Sequence, residues 1–87
     1  MKRRVFAAGN VPREVVQAAH RWCGGNSLGD IERRRQFMQG AMRCDRDEDA
    51  PEGASLPYQL GWQWRNRWRS DRDFAARHPY TGADGAA

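Results

Sequence analysis

Gly61-Trp62-Gln63-Trp64-Arg65-Asn66-Arg67-Trp68-Arg69 is the stretch that decides the fold. Leu60, Trp64 and Trp68 recur at intervals of four. In a helix they form one apolar line, which must bury itself against other elements. Ser55 offers an N-cap for that helix, and Pro57 falls in its first turn, where a missing N–H costs nothing. Phe74 and Ala75 extend the stripe, and His78-Pro79 stops it. The spacing therefore predicts a helix over about 56–77, followed by a flexible tail over 79–87.

Upstream, Pro51 and Gly53 break the chain inside an acidic loop over 44–54. Before the loop, Leu28, Ile31, Met38, Ala41 and Met42 share a helical face with Phe37 beside them, predicting a helix over about 28–43. Ser27 caps it, with Asp30 three residues on as capping-box partner. A first helix, over about 11–23, starts from Asn10 and Pro12. It presents Val11, Val15, Ala18, Ala19 and Trp22 on one face, and Gly24-Gly25 ends it by accepting a left-handed conformation. No segment alternates with the period of a strand. The expected fold is all-α, a single small bundle of three helices.

The 87 residues leave room for one domain only. Mean hydropathy is low at −0.99, but four Trp, three Phe and two Tyr argue for a packed core over disorder. Met1-Lys2-Arg3-Arg4 is followed by no apolar core of the signal-peptide type, and no stretch is long enough to span a bilayer. The expected location is cytoplasmic, with no membrane partner.

Charge is unevenly spread. Residues 1–43 carry nine basic and three acidic side chains, residues 44–54 one Arg and five acids, and residues 55–87 five Arg and three Asp. Outside the acidic loop the net charge is thus +8, which favours an anionic partner. Fourteen of the fifteen cations are Arg, whose planar fork grips phosphate and stacks on bases. A GC-rich coding bias explains the choice of Arg over Lys, but not its clustering.

The expected nucleic-acid-binding residues are Arg33, Arg34 and Arg35 on the second helix, and Arg65, Arg67, Arg69 and Arg72 on the third. The bland reading of each set is a solvated face. Trp64 and Trp68 read as core, whereas Trp62 points elsewhere on the wheel. Tyr58, Trp62 and Arg67 are the expected anchors of a protein interface, being residue types enriched at hot spots. A helix-turn-helix is disfavoured because the connection from Gly24 to Asp30 is long for that motif.

Catalysis and metal binding find little support. Ser27, Ser55, Ser70, Cys23 and Cys44 have no base marked by the sequence, and no phosphate-binding glycine loop is present. His20-x-x-Cys23 has ligand-like spacing, but Cys44 and His78 stand far away in sequence. Asp45-Arg46-Asp47-Glu48-Asp49 lacks the glycine and terminal Glu of a calcium loop. A disulfide between Cys23 and Cys44 would need an oxidising compartment. The chain is expected to be non-enzymatic, with no cofactor and no metal.

Phe37-x-x-Gly40, Pro57-Tyr58 and Trp64-x-x-x-Trp68-Arg69 together resemble the ribosome modulation factor family of bacteria and their phages, over roughly Arg35 to Ser70. Arg67 stands where that family has glycine, the loop before Pro57 is longer, and the interval from Tyr58 to Trp64 is shorter. The resemblance implies ribosome binding through 16S rRNA and silencing of translation. It also implies that Tyr58, Trp64 and Trp68 hold a helix pair together, with Arg69 on the RNA side.

Two functions are therefore expected. The first is a small basic regulator binding RNA or a ribonucleoprotein. The alternative is an inhibitor, encoded by a phage or mobile element, that binds a host or defence complex. A homodimer joined through Trp62 and the Phe37/Met38 edge is a further expectation.

Overall fold

The computed structural model describes residues 11–77. Asn10, His78-Pro79, the basic N-terminus and the expected tail lie outside the described residues. Four helices follow one another: α1 (Arg13–Trp22), α2 (Leu28–Asp45), α3 (Leu56–Ser70) and α4 (Arg72–Arg77). The fold is all-helical, as the hydrophobic periodicity requires.

Local signals account for the helix starts. Ser27 accepts from the Asp30 N–H, and the Asp30 carboxylate accepts from the Ser27 N–H, completing a capping box. Ser55 accepts from the Tyr58 N–H at the head of α3. Pro12 precedes α1, and its carbonyl accepts from Val15 and Val16.

The core is small. Val11, Val15, Ala18 and Ala19 from the first segment meet Phe37, Met38 and Ala41 of α2, with Leu60 and Trp64 of α3 packed against them. Trp22, Phe37, Trp64 and Trp68 form a ladder with successive ring centroids 5.5, 6.0 and 6.2 Å apart. Where α2 and α3 cross, Gly40 lies against the Tyr58 carbonyl and Gly61 against that of Phe37, leaving no room for a β-carbon on either side. Gln36 meets Ser55 before the crossing on both helices, and Asp45 meets Arg65 after it. The two helices thus run past each other in the same sense, which the long 46–55 connection permits.

Four details depart from the sequence expectations. The helix expected over 56–77 breaks at Asp71, which leaves helical geometry at φ −125°, ψ 104° and accepts from the Phe74 N–H to cap α4. Gly24 and Gly25 do not take a left-handed conformation; α1 ends instead at an extended Cys23. Leu28 and Ile31 are 85% and 47% exposed rather than buried with Met38, because the first turn of α2 projects past the core. Phe37 and Met38 are buried in the core, so they offer no edge on which a dimer could form.

The second helix runs to Asp45 and closes with a Schellman motif. The Glu48 N–H bonds the Arg43 carbonyl and the Asp47 N–H that of Cys44, with Asp47 at φ 60° in the position usually given to glycine. The acidic segment is therefore built, not loose. A turn closed by the Ala54 N–H on the Pro51 carbonyl, with Gly53 at φ 83°, returns the chain to α3.

Candidate nucleic-acid interface

The arginines expected to face nucleic acid have different fates. Arg34 is buried, and its Nη1 donates to the Cys23 carbonyl at 2.8 Å and to that of Gly25. It closes the end of α1, the task expected of the two glycines. Arg65 is buried as well. Its Nε donates to Asp45 at 2.8 Å, its Nη2 lies 3.0 Å from Glu14, and its guanidinium sits 4.6 Å from the centre of the Trp68 ring. One side chain thus joins α1, α2 and α3.

These two positions correct the sequence reading, because neither guanidinium is free to meet a phosphate. The physical cause is carbonyl and carboxylate groups brought to them from distant elements. Reversing the charge at Arg65 would set an acid against Glu14 and Asp45 and unfold the protein, so that substitution is no test of RNA binding.

Arg69 is intermediate between the two classes. Its Nη1 donates to the Cys44 carbonyl at 2.6 Å, and Asp47 and Asp45 lie 3.4 and 3.9 Å away. It seals the end of α2 while keeping part of its side chain in solvent.

Arg33, Arg35, Arg67 and Arg72 are exposed, as expected. Arg33 is tied to Asp30, and Arg35 lies 3.0 Å from Glu32 on its own helix. Both are surface pairs that a stronger anion could displace. Arg67 lies over the Phe74 ring at 4.4 Å, with Asp71 at 3.8 Å, and so bridges the α3–α4 corner. Arg72 is the first residue of α4.

The expected interface anchors also divide. Tyr58 is half-buried, its carbonyl seated against Gly40. Trp62 is half-buried and donates its indole N–H to the Glu48 carbonyl at 2.7 Å, so it pins the acidic loop. Arg67 alone of the three is exposed.

Charge is better balanced on the fold than along the chain. Twelve arginines and ten carboxylates fall within residues 11–77, a net of +2; Lys2, Arg3 and Arg4 against Asp84 supply the other +2. Most carboxylates are drawn into ion pairs. Asp30 is pulled from 3.8 to about 2, chiefly by Arg33 and then by Ser27. The Phe74 N–H is the main cause holding Asp71 below its ordinary value.

No protein-family model, curated protein or solved structure matches the chain. Its chemistry must be read from its own side chains.

Cys23 and Cys44 are both free thiols. Among the described residues no group of three or more His, Cys, Asp or Glu is placed to hold a metal ion, and no helix is long and apolar enough to cross a membrane. Sequence reasoning missed the exposed apolar group Trp22, Leu28 and Ile31 around the α1–α2 turn. The only signal for it was position, since Leu28 and Ile31 precede the part of α2 that other helices can cover. It also missed a groove beside Trp62, described below.

Proposed function

We propose that the chain is a small non-enzymatic regulator that binds RNA or a ribonucleoprotein through the α3–α4 corner. The observation that carries this reading is the Arg67 guanidinium over the Phe74 ring, 4.4 Å from its centre, on the helix that the exposed Arg72 opens. A guanidinium stacked on an aromatic ring is held in one plane, ready to grip a phosphate through two bonds or to extend the stack to an unpaired base. Arg33 and Arg35 form a second exposed pair on α2.

The resemblance to ribosome modulation factors supports the same reading. Of the residues that carry it, Phe37, Gly40, Tyr58 and Trp64 lie in the α2–α3 contact. Arg69, which the resemblance sets on the RNA side, is half engaged with Cys44.

The test is retention of ribosomes and of naked 16S rRNA by the purified protein across a salt series. Binding should weaken steeply with salt as counterions are released. The double variant Arg67→Glu/Arg72→Glu should lose at least about tenfold in affinity while keeping its helical circular dichroism. Unchanged retention by that folded variant would overturn the reading.

A second reading rests on a different observation. Trp22, Leu28 and Ile31 present apolar surface that a protein partner would cover, in keeping with an inhibitor of a host complex. Binding that resists nuclease and is lost in Leu28→Ser/Ile31→Ser, but not in the arginine variant, would favour it.

A further inference from the structure

A groove of about 410 Å³ lies between the acidic segment and α3, walled by Asp49, Glu52, Gly53, Gln59, Trp62 and Gln63. Its walls are fixed from both sides. The Trp62 indole N–H is bonded to the Glu48 carbonyl, Gln59 Nε2 donates to the Ala54 carbonyl at 2.7 Å, and Arg43 Nε donates to the Asp49 carbonyl at 3.1 Å. The Schellman closure at Asp47 and the turn at Gly53 shape the chain between these ties.

The groove gathers unanswered charge. Glu14, Asp30, Glu32, Asp45, Asp47, Glu48 and Asp71 each have an arginine within 4 Å. Among the described residues, Asp73 on α4 has none, and neither do the carboxylates of Asp49 and Glu52, although Arg43 is close enough to bond the Asp49 backbone. Asp49 and Glu52 line the same groove, and an indole forms part of its wall. A carboxylate pair beside an aromatic ring suits a cation, and the volume falls within the roughly 300–1,000 Å³ of small-molecule sites.

We propose that this groove receives an arginine side chain presented by a protein partner. The guanidinium would stack on Trp62, bond Asp49 or Glu52 through its fork, and meet the side-chain carbonyls of Gln59 and Gln63 with its remaining donors. Arginine suits the groove better than lysine because only a planar fork can stack and pair in two directions at once. The proposal does not rest on RNA binding; it adds a site of opposite sign whose lining includes neither Arg67 nor Arg72.

Nuclear magnetic resonance titration of the whole chain with N-acetyl-arginine amide tests it, with N-acetyl-lysine amide and putrescine as parallel arms. The expected result is a saturable shift of the Trp62 indole and the Gly53 and Gln63 amides, about tenfold tighter for arginine than for the other cations. Asp49→Asn/Glu52→Gln, both at exposed positions, should abolish the shifts without changing the remaining spectrum. Trp62→Phe keeps a ring but not the N–H, and should weaken binding while leaving the preference for arginine. The proposal is overturned if arginine amide shifts no groove resonance, if the three cations bind equally, or if the neutral double variant binds as well as the parent.

Discussion

Gly40 and Gly61 each face backbone of the other's helix where a side chain would begin. The backbone of Tyr58 fills the place of a β-carbon at Gly40, and that of Phe37 fills it at Gly61. Alanine at either position would gain up to about 1 kcal/mol of helix propensity. It would have to push the helices apart against backbone, which costs about 1–3 kcal/mol or more. Gly40→Ala and Gly61→Ala are each expected to lower the urea midpoint. The double variant should cost less than the sum, because one separation of the helices relieves both overlaps. A rise in stability with either alanine would show that the close approach is not required.

Arg65 supports a second prediction. Arg65→Ala strips Glu14 of its cation and leaves Asp45 only the more distant Arg69, a change that costs about 3–5 kcal/mol. That is comparable with the whole stability of so small a domain, so thermal unfolding should shift far down or vanish. Neutralising all three, as Glu14→Gln/Asp45→Asn/Arg65→Met, should return to within about 2 kcal/mol of the parent. If Arg65→Ala melts like the parent, the buried cluster has no structural weight.

Asp30 sets a pH dependence. Its carboxyl titrates at about 2 in the fold against 3.8 ordinarily, mainly because Arg33 holds its charged form. A lowered folded value stabilises above the unfolded one, and that stabilisation disappears as pH falls from about 4 towards 2. Stability should fall over this window, and less steeply in Asp30→Asn. A carboxyl midpoint near 3.8 in the folded protein would contradict the arrangement.

The caps and the apolar spacing make the helices legible in the sequence. Ser27, Ser55 and Pro57 marked two starts, and the Leu60-Trp64-Trp68 line marked the core side of α3. The breaking of the last helix was also written in the chain, since Asp71 three residues before Phe74 is a cap pattern, but the continuing stripe of Phe74 and Ala75 masked it. The fates of Arg34 and Arg65 were not legible. A buried arginine and a solvated one look alike until the carbonyls of Cys23 and Gly25, or the acids of α1 and α2, come within reach. Gly40 and Gly61 did carry a signal: a glycine inside a helix costs stability and so asks for a packing reason.

Asp47 gives a prediction about the acidic segment. It adopts a left-handed conformation that costs most side chains about 1 kcal/mol or more, and its ion pair to Arg69 at 3.4 Å is solvent-exposed. Asp47→Gly is expected to raise stability by up to about 1 kcal/mol, while Asp47→Val should lower it by about 1–2 kcal/mol. Equal melting temperatures for the two would argue against the Schellman closure.

Two helix ends in this molecule are finished by guanidiniums that arrive from later in the chain. Arg34 of α2 closes α1 at Cys23, and Arg69 of α3 closes α2 at Cys44. Each helix is therefore completed only when its successor has docked, and none is long enough to be firmly stable alone. Fraying from one end would strip the seal from the preceding helix, so partial opening propagates. Amide protons across α1, α2 and α3 should then exchange with solvent through one shared opening, and a chain cut before α3 should lose α1 and α2 together.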